Sequence, residues 1–134
     1  MPSIVLVDDE PGFIQALVCS LEARGFDCVT ATNMTEGVKA LQQNEPSVLV
    51  TDIMMPPGEA FKNVDANESG FHFIEYVQEH WPRLPIVCLS VIADHAKIRL
   101  LTRRGVRYLR KGETPLSTAV EIITAVAVGR RVRL

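Results

Sequence analysis

Short apolar runs alternate with amphipathic stretches along the whole chain. The runs are Ile4 to Val7, Phe26 to Ala31, Val48 to Val50, Ile86 to Leu89 and Val106 to Leu109. They are too short for helices and rich in β-branched residues or leucine, which predicts strands. Their near-continuous apolar character suits strands covered on both faces, as in a parallel sheet. Five helical stretches lie between and after them. The first follows Pro11 and has Ile14, Leu17 and Leu21 on one stripe. The second opens on Asn33 and Glu36, a cap-like pair, and runs through Val38 and Leu41. The third carries Ile74, Val77 and Trp81 and stops at Pro82. The fourth follows Asp94, carries Ile98 and Leu101, and ends at Gly105. The last opens at Pro115 and places Leu116, Val120, Ile123 and Ala127 on one face.

Five strand-then-helix units in series predict an α/β fold with a parallel sheet. Ligand chemistry in such a sheet belongs at the carboxyl ends of the strands. One segment breaks the rhythm: residues 55–69 have no clean period and carry Pro56, Pro57, Gly58, Asn63 and Asn67. A loop of that length is uncommon in a compact domain and is usually functional or disordered.

Composition narrows the class. At 134 residues, with 47% apolar and 22% charged residues, the chain has material for one well-packed domain. Fourteen basic against sixteen acidic residues, a net charge of −2, argue against nucleic-acid binding by the surface as a whole. No apolar run has the length of a membrane span, and the first run ends at once in Asp8, Asp9 and Glu10, unlike a signal peptide. A cytoplasmic location is expected, with no membrane contact. Cys19, Cys28 and Cys88 form no C-x-x-C pair and each lies in an apolar stretch, so all three are expected as buried free thiols. His72, His80 and His95 show no ligand spacing and are expected on helix surfaces.

The strand ends hold the candidate chemistry. Asp8 and Asp9 follow the first strand, Asp52 the third, Ser90 the fourth and Lys111 the fifth. Singly, each aspartate or serine would read as a cap or turn residue. Together, in a parallel sheet, they converge on one edge. Three carboxylates in one place repel unless a cation sits among them. Hard oxygen ligands without histidine or thiolate suit Mg²⁺. A carboxylate can act as a nucleophile toward phosphorus, while a lysine and a hydroxyl hold oxygens of the transferred group. These are the parts for one phosphoryl transfer.

In this arrangement the sequence resembles the receiver domain of two-component response regulators, similar to the chemotaxis receiver. The resemblance is carried by VLVDDE with Asp8 and Asp9, VLVTDIMMP with Asp52, PIVCLS with Ser90, and RYLRKG with Tyr108 and Lys111. It implies a flavodoxin-like fold: a five-stranded parallel sheet of order 2-1-3-4-5 with helices on both faces. It implies a receiver domain over residues 1–128, with residues 129–134 a basic C-terminal tail or the start of a linker. Asp52 would be the phosphoacceptor, forming an aspartyl phosphate from a phosphohistidine. Mg²⁺ would be held by Asp9 directly, by Asp8 mainly through water, by Asp52, and by the backbone carbonyl of Met54. Lys111 and Ser90 would bind phosphoryl oxygens, and Ser90 with Tyr108 would form the switch. The fourth helix, fifth strand and fifth helix would carry the signal. Expected partners are a sensor histidine kinase or histidine phosphotransfer protein, with a possible homodimer and an unidentified output domain or protein. No enzymatic activity is implied beyond phosphorylation and dephosphorylation of the chain itself.

Three departures from the family pattern stand out. Gly70 lies eighteen residues after Asp52, which lengthens the intervening loop by about ten residues. Val91 follows Ser90 where the family prefers a smaller residue, and is expected to slow dephosphorylation relative to Val91→Ala. Gly112 follows Lys111 where the family has proline, which makes a cis bond there unfavourable. The long loop and Gly112 keep open an atypical receiver that binds partners without phosphorylation. A small phosphohydrolase with an aspartate nucleophile is disfavoured, because Met54 stands where such enzymes tend to carry a second aspartate. A dinucleotide-binding domain is disfavoured, because the turn after the first strand lacks glycine spacing.

Overall fold

The computed structural model describes residues 2–53, 58–59, 69–91 and 94–129. Five strands, β1 (Ser3–Val7), β2 (Asp27–Ala31), β3 (Val48–Thr51), β4 (Ile86–Ser90) and β5 (Arg107–Arg110), alternate with five helices. The helices are α1 (Pro11–Ala23), α2 (Met34–Gln43), α3 (Ser69–His80), α4 (His95–Arg103) and α5 (Leu116–Ala127). All pairings are parallel, as the strand and helix pattern predicts, and the sheet order is β2-β1-β3-β4-β5, as the family resemblance implies.

Strand alternation divides the core in two. Val5, Val7, Leu49 and Cys88 face one side, where they meet Met34 and Leu41 of α2, Phe73 and Val77 of α3, and Leu101 of α4. Ile4, Leu6, Val50 and Leu89 face the other, against Leu17 and Leu21 of α1 and Val120 and Ile123 of α5. The central strands are therefore buried on both faces, which is why they read as unbroken apolar runs. No helix of the described residues is long and apolar enough to cross a membrane.

The helix starts follow local chemistry. The Asn33 side chain accepts the Glu36 amide at 2.9 Å, and Glu36 reaches back to the Thr32 amide at 3.1 Å. Asp94 caps α4 by accepting from the Ala96 and Lys97 amides. α3 begins at Ser69, well before its apolar stripe at Ile74. Gly70 accounts for this: a Cβ there would lie 2.2 Å from the Ile53 Cα, and its amide donates to the Ile53 carbonyl at 2.8 Å. Only a residue without a side chain lets the helix start against the backbone that follows β3.

Two expectations are corrected. Cys19 is exposed and Cys28 half-buried, so only Cys88 is a buried thiol. Cys19 sits on α1 between the Leu17 and Leu21 positions, off the buried stripe. β5 runs from Arg107 rather than Val106. His72, His80 and His95 are all exposed on their helices, as expected. Of the expected loop 55–69, only Gly58, Glu59 and Ser69 are described, Ser69 as the first residue of α3, and the tail at 130–134 lies outside the described residues.

Candidate functional site

Four elements bring charged side chains to one edge of the sheet. Asp8 directly follows β1, Glu10 precedes α1, Asp52 follows β3 and Lys111 follows β5. Backbone bonds hold these ends in place: the Asp8 amide donates to the Ala31 carbonyl, the Asp52 amide to the Val7 carbonyl, and the Lys111 amide to the Ser90 carbonyl.

The Lys111 ammonium is the hub. Its Nζ lies 2.7 Å from Asp8 Oδ2, 2.9 Å from Asp52 Oδ2 and 2.9 Å from Glu10 Oε1. The Phe13 ring centroid lies 4.8 Å from the same nitrogen. Asp8, Asp52 and Lys111 are buried, while Glu10 is exposed. Burial works against the Lys111 charge, yet hydrogen bonds to Asp8, Asp52 and Glu10 outweigh it and hold its pKa above the ordinary lysine value. Burial pushes the Asp8 carboxyl above its ordinary value, against the opposing hydrogen bonds from Lys111 and the Glu10 amide.

Asp8, Glu10 and Asp52 each offer one carboxylate oxygen, all within 4.8 Å of one another. This donor set, with no imidazole or thiolate in it, fits Mg²⁺, which prefers oxygen and uses few protein carboxylates. Asp9, exposed between Asp8 and Glu10 in the chain, is not one of the three. Met54, whose carbonyl was the further expected ligand, lies outside the described residues. Glu10 is the residue that sequence reasoning passed over. Its signal was its place as third acid in the run from Asp8.

Ser90 ends β4 and is fully buried. Tyr108 is half-buried on β5, packs on the core that holds α2, α3 and α4, and donates its hydroxyl to the Ser90 carbonyl at 3.3 Å. Burial raises the Tyr108 pKa above the ordinary phenol value. Val91, next in the chain, is 58% exposed. Gly112 has φ 83°, a left-handed conformation that favours glycine, and no peptide bond of the described residues is cis.

Known proteins share this architecture. The family profile described as "Response regulator receiver domain" matches residues 4–123. Response regulator Rre1 of Synechocystis sp. is 36% identical over 91 residues, covering 66% of this chain and 35% of that protein. The probable transcriptional regulatory protein TcrX of Mycobacterium tuberculosis is 26% identical over 130 residues, 96% of this chain and 50% of that protein. The chain thus spans half or less of these relatives. Among solved structures, the non-phosphorylated HemR receiver domain of Leptospira biflexa superposes with a TM-score of 0.81 at 21% identity, covering 100% of both chains. A CheY-like response regulator receiver domain protein from Methanospirillum hungatei gives 0.80 at 17% identity, over 96% of this chain and 94% of that one. At these identities the structures speak for the fold alone.

Proposed function

We propose, from the premise that this chain belongs to the response regulator receiver domain family, that it is a phosphorylation-switched signalling module with Asp52 as phosphoacceptor. One observation carries the reading: Lys111, Asp8, Glu10 and Asp52, drawn from three separate segments, meet within direct contact at the carboxyl edge of the sheet. The Asp52 carboxylate attacks the phosphorus of a phosphohistidine whose other ring nitrogen is protonated, the P–N bond breaks, and a neutral imidazole leaves with the electron pair. Lys111 then holds an oxygen of the new phosphoryl group. Asp8, Glu10 and Asp52 are the carboxylates placed to hold Mg²⁺, with Asp9 adjacent. When bound, that ion supplies charge neutralisation for the phosphoryl oxygens.

A phosphoryl group adds nearly two negative charges and three strong acceptors. The buried Ser90 hydroxyl is the donor it draws, and Tyr108, bonded to the Ser90 carbonyl, moves with it. The surface formed by α4, β5 and α5 reads out that movement. The donor is a sensor histidine kinase or a histidine phosphotransfer protein in the cytoplasm. The chain turns over no substrate other than its own phosphoryl group.

The test is transfer of labelled phosphate from an autophosphorylated histidine kinase. Label should leave the kinase and appear on this chain, and the Asp52→Asn variant should take up none. Label retained on the kinase, or transferred equally to the variant, would contradict the reading.

A further inference from the structure

The stretch from Lys97 to Lys111 carries seven basic residues and no acidic one, leaving seven basic and sixteen acidic residues for the rest of the chain. Most of these cations are engaged. Lys111 belongs to the carboxylate cluster, Arg110 pairs with Glu113 at 3.3 Å, Arg104 with Glu75 at 3.9 Å, and Lys97 lies over the Phe71 ring. Arg99 and Arg103 stand exposed on α4 beside Leu100, itself 45% exposed.

Arg107 is different. Its Nε and one terminal nitrogen (Nη2) are buried and have no hydrogen-bond partner among the described residues. A guanidinium placed so is costly unless something comes to meet it. It lines a groove of about 480 Å³ along β5, the edge strand of the sheet, with Ile98 and Thr102 of α4, Val106, Tyr108, and Val126 of α5.

We propose that this groove is a docking site for an acidic segment of a partner protein, whose carboxylate engages Arg107 while an adjoining apolar side chain packs on Ile98, Val106 and Val126. The inference rests on the reading of the α4–β5–α5 face as the signalling surface and names the chemistry of what that surface takes. A carboxylate matches the planar donor pair of a guanidinium. Arg99 and Arg103 add a positive field that favours approach of an acidic partner. The same field opposes a second copy of this chain, since a symmetric contact would set like charges against each other. A mostly apolar groove with one guanidinium, half-buried and with two unpartnered nitrogens, suits a carboxylate beside an apolar group better than a run of phosphates.

The experiment is a nuclear magnetic resonance titration of the whole chain with a short peptide of alternating leucine and glutamate. Its glutamine counterpart and a single-stranded oligothymidylate serve as the other arms. The acidic peptide should shift the Arg107 Nε–H and the Val106 and Tyr108 amides. Arg107→Met and Arg107→Gln should weaken binding at least tenfold, about 1.4 kcal/mol. Arg107→Met should also raise the thermal midpoint by about 4 °C, because two buried donors without acceptors are gone. A purely structural arginine would lower it. Equal binding of the glutamine peptide, oligothymidylate acting in place of the peptide, self-association through these residues, or unchanged affinity of both variants would each overturn the proposal. Arg107-dependent binding that is identical with and without a phosphoryl adduct, the adduct verified by mass, would overturn the signalling reading and leave the docking site standing.

Discussion

Lys111 Nζ lies 2.9 Å from Asp52 Oδ2, although the two residues are 59 positions apart in the chain. The contact exists because β3 and β5 run parallel and end at the same edge of one sheet, with β4 between them. The same ammonium also holds Asp8 and Glu10, so it neutralises a group of carboxylates that would otherwise repel.

Lys111→Met should therefore destabilise the fold. It leaves buried carboxylates unpaired, a change that costs about 3–5 kcal/mol. Urea unfolding without divalent cations should show that loss, and Mg²⁺ should restore part of it. A variant as stable as wild type without Mg²⁺ would mean that the lysine contacts carry little energy.

Asp8→Asn should act in the opposite direction. Burial holds the native Asp8 pKa above its ordinary value of 3.8. A carboxyl whose native pKa exceeds its unfolded pKa stabilises the fold most at acid pH, and that contribution is lost as pH rises through the native pKa. The variant lacks this titration. Its stability advantage over wild type should open as pH rises above 3.8 and level off once pH exceeds the native pKa, measured without divalent cations. Mg²⁺ should stabilise wild type more than the variant. An advantage that shrinks as pH rises would reverse the sign of the argument.

Gly70→Ala tests how α3 is seated. The new Cβ would lie 2.2 Å from the Ile53 Cα and 2.4 Å from its carbonyl oxygen, so backbone must move. A loss of about 3 kcal/mol is expected in chemical denaturation. Because Ile53 adjoins Asp52, phosphorylation should slow as well. A neutral effect on stability would show that the helix start can shift freely.

The three thiols should react in order of exposure. Cys19 is exposed; Cys28 is half-buried, with its pKa pushed up to about 11 by burial and by the nearby Glu22 and Asp27 charges; Cys88 is buried. Alkylation of the native protein at about pH 8 should modify Cys19 first, Cys28 slowly, and Cys88 only on unfolding. Rapid modification of Cys88 in the native state would contradict the packing described for β4.

The fold was legible because its signals are redundant. The central strands β1, β3 and β4 are apolar runs, each helix has a stripe, and Asn33, Asp94 and Pro115 mark helix starts in the sequence as in the structure. Asp8, Asp52 and Lys111 could be placed together because parallel strands share one carboxyl edge. Glu10 could not, since whether an acid before a helix turns inward depends on backbone angles at a turn. Cys19 misled because an apolar neighbourhood in sequence is not a buried face of a helix. Arg107 gave no signal, because a missing hydrogen bond is a property of the packed structure alone.

The central claim is that Asp52 accepts a phosphoryl group. Intact-mass spectrometry of the chain incubated with Mg²⁺ and acetyl phosphate, beside Asp52→Asn, tests it most directly. The account predicts a single phosphoryl adduct on the native chain that is absent from the variant and absent when Mg²⁺ is chelated. An adduct on Asp52→Asn, or none on the native chain from either acetyl phosphate or a phosphohistidine donor, would contradict it and favour a receiver that works without phosphorylation.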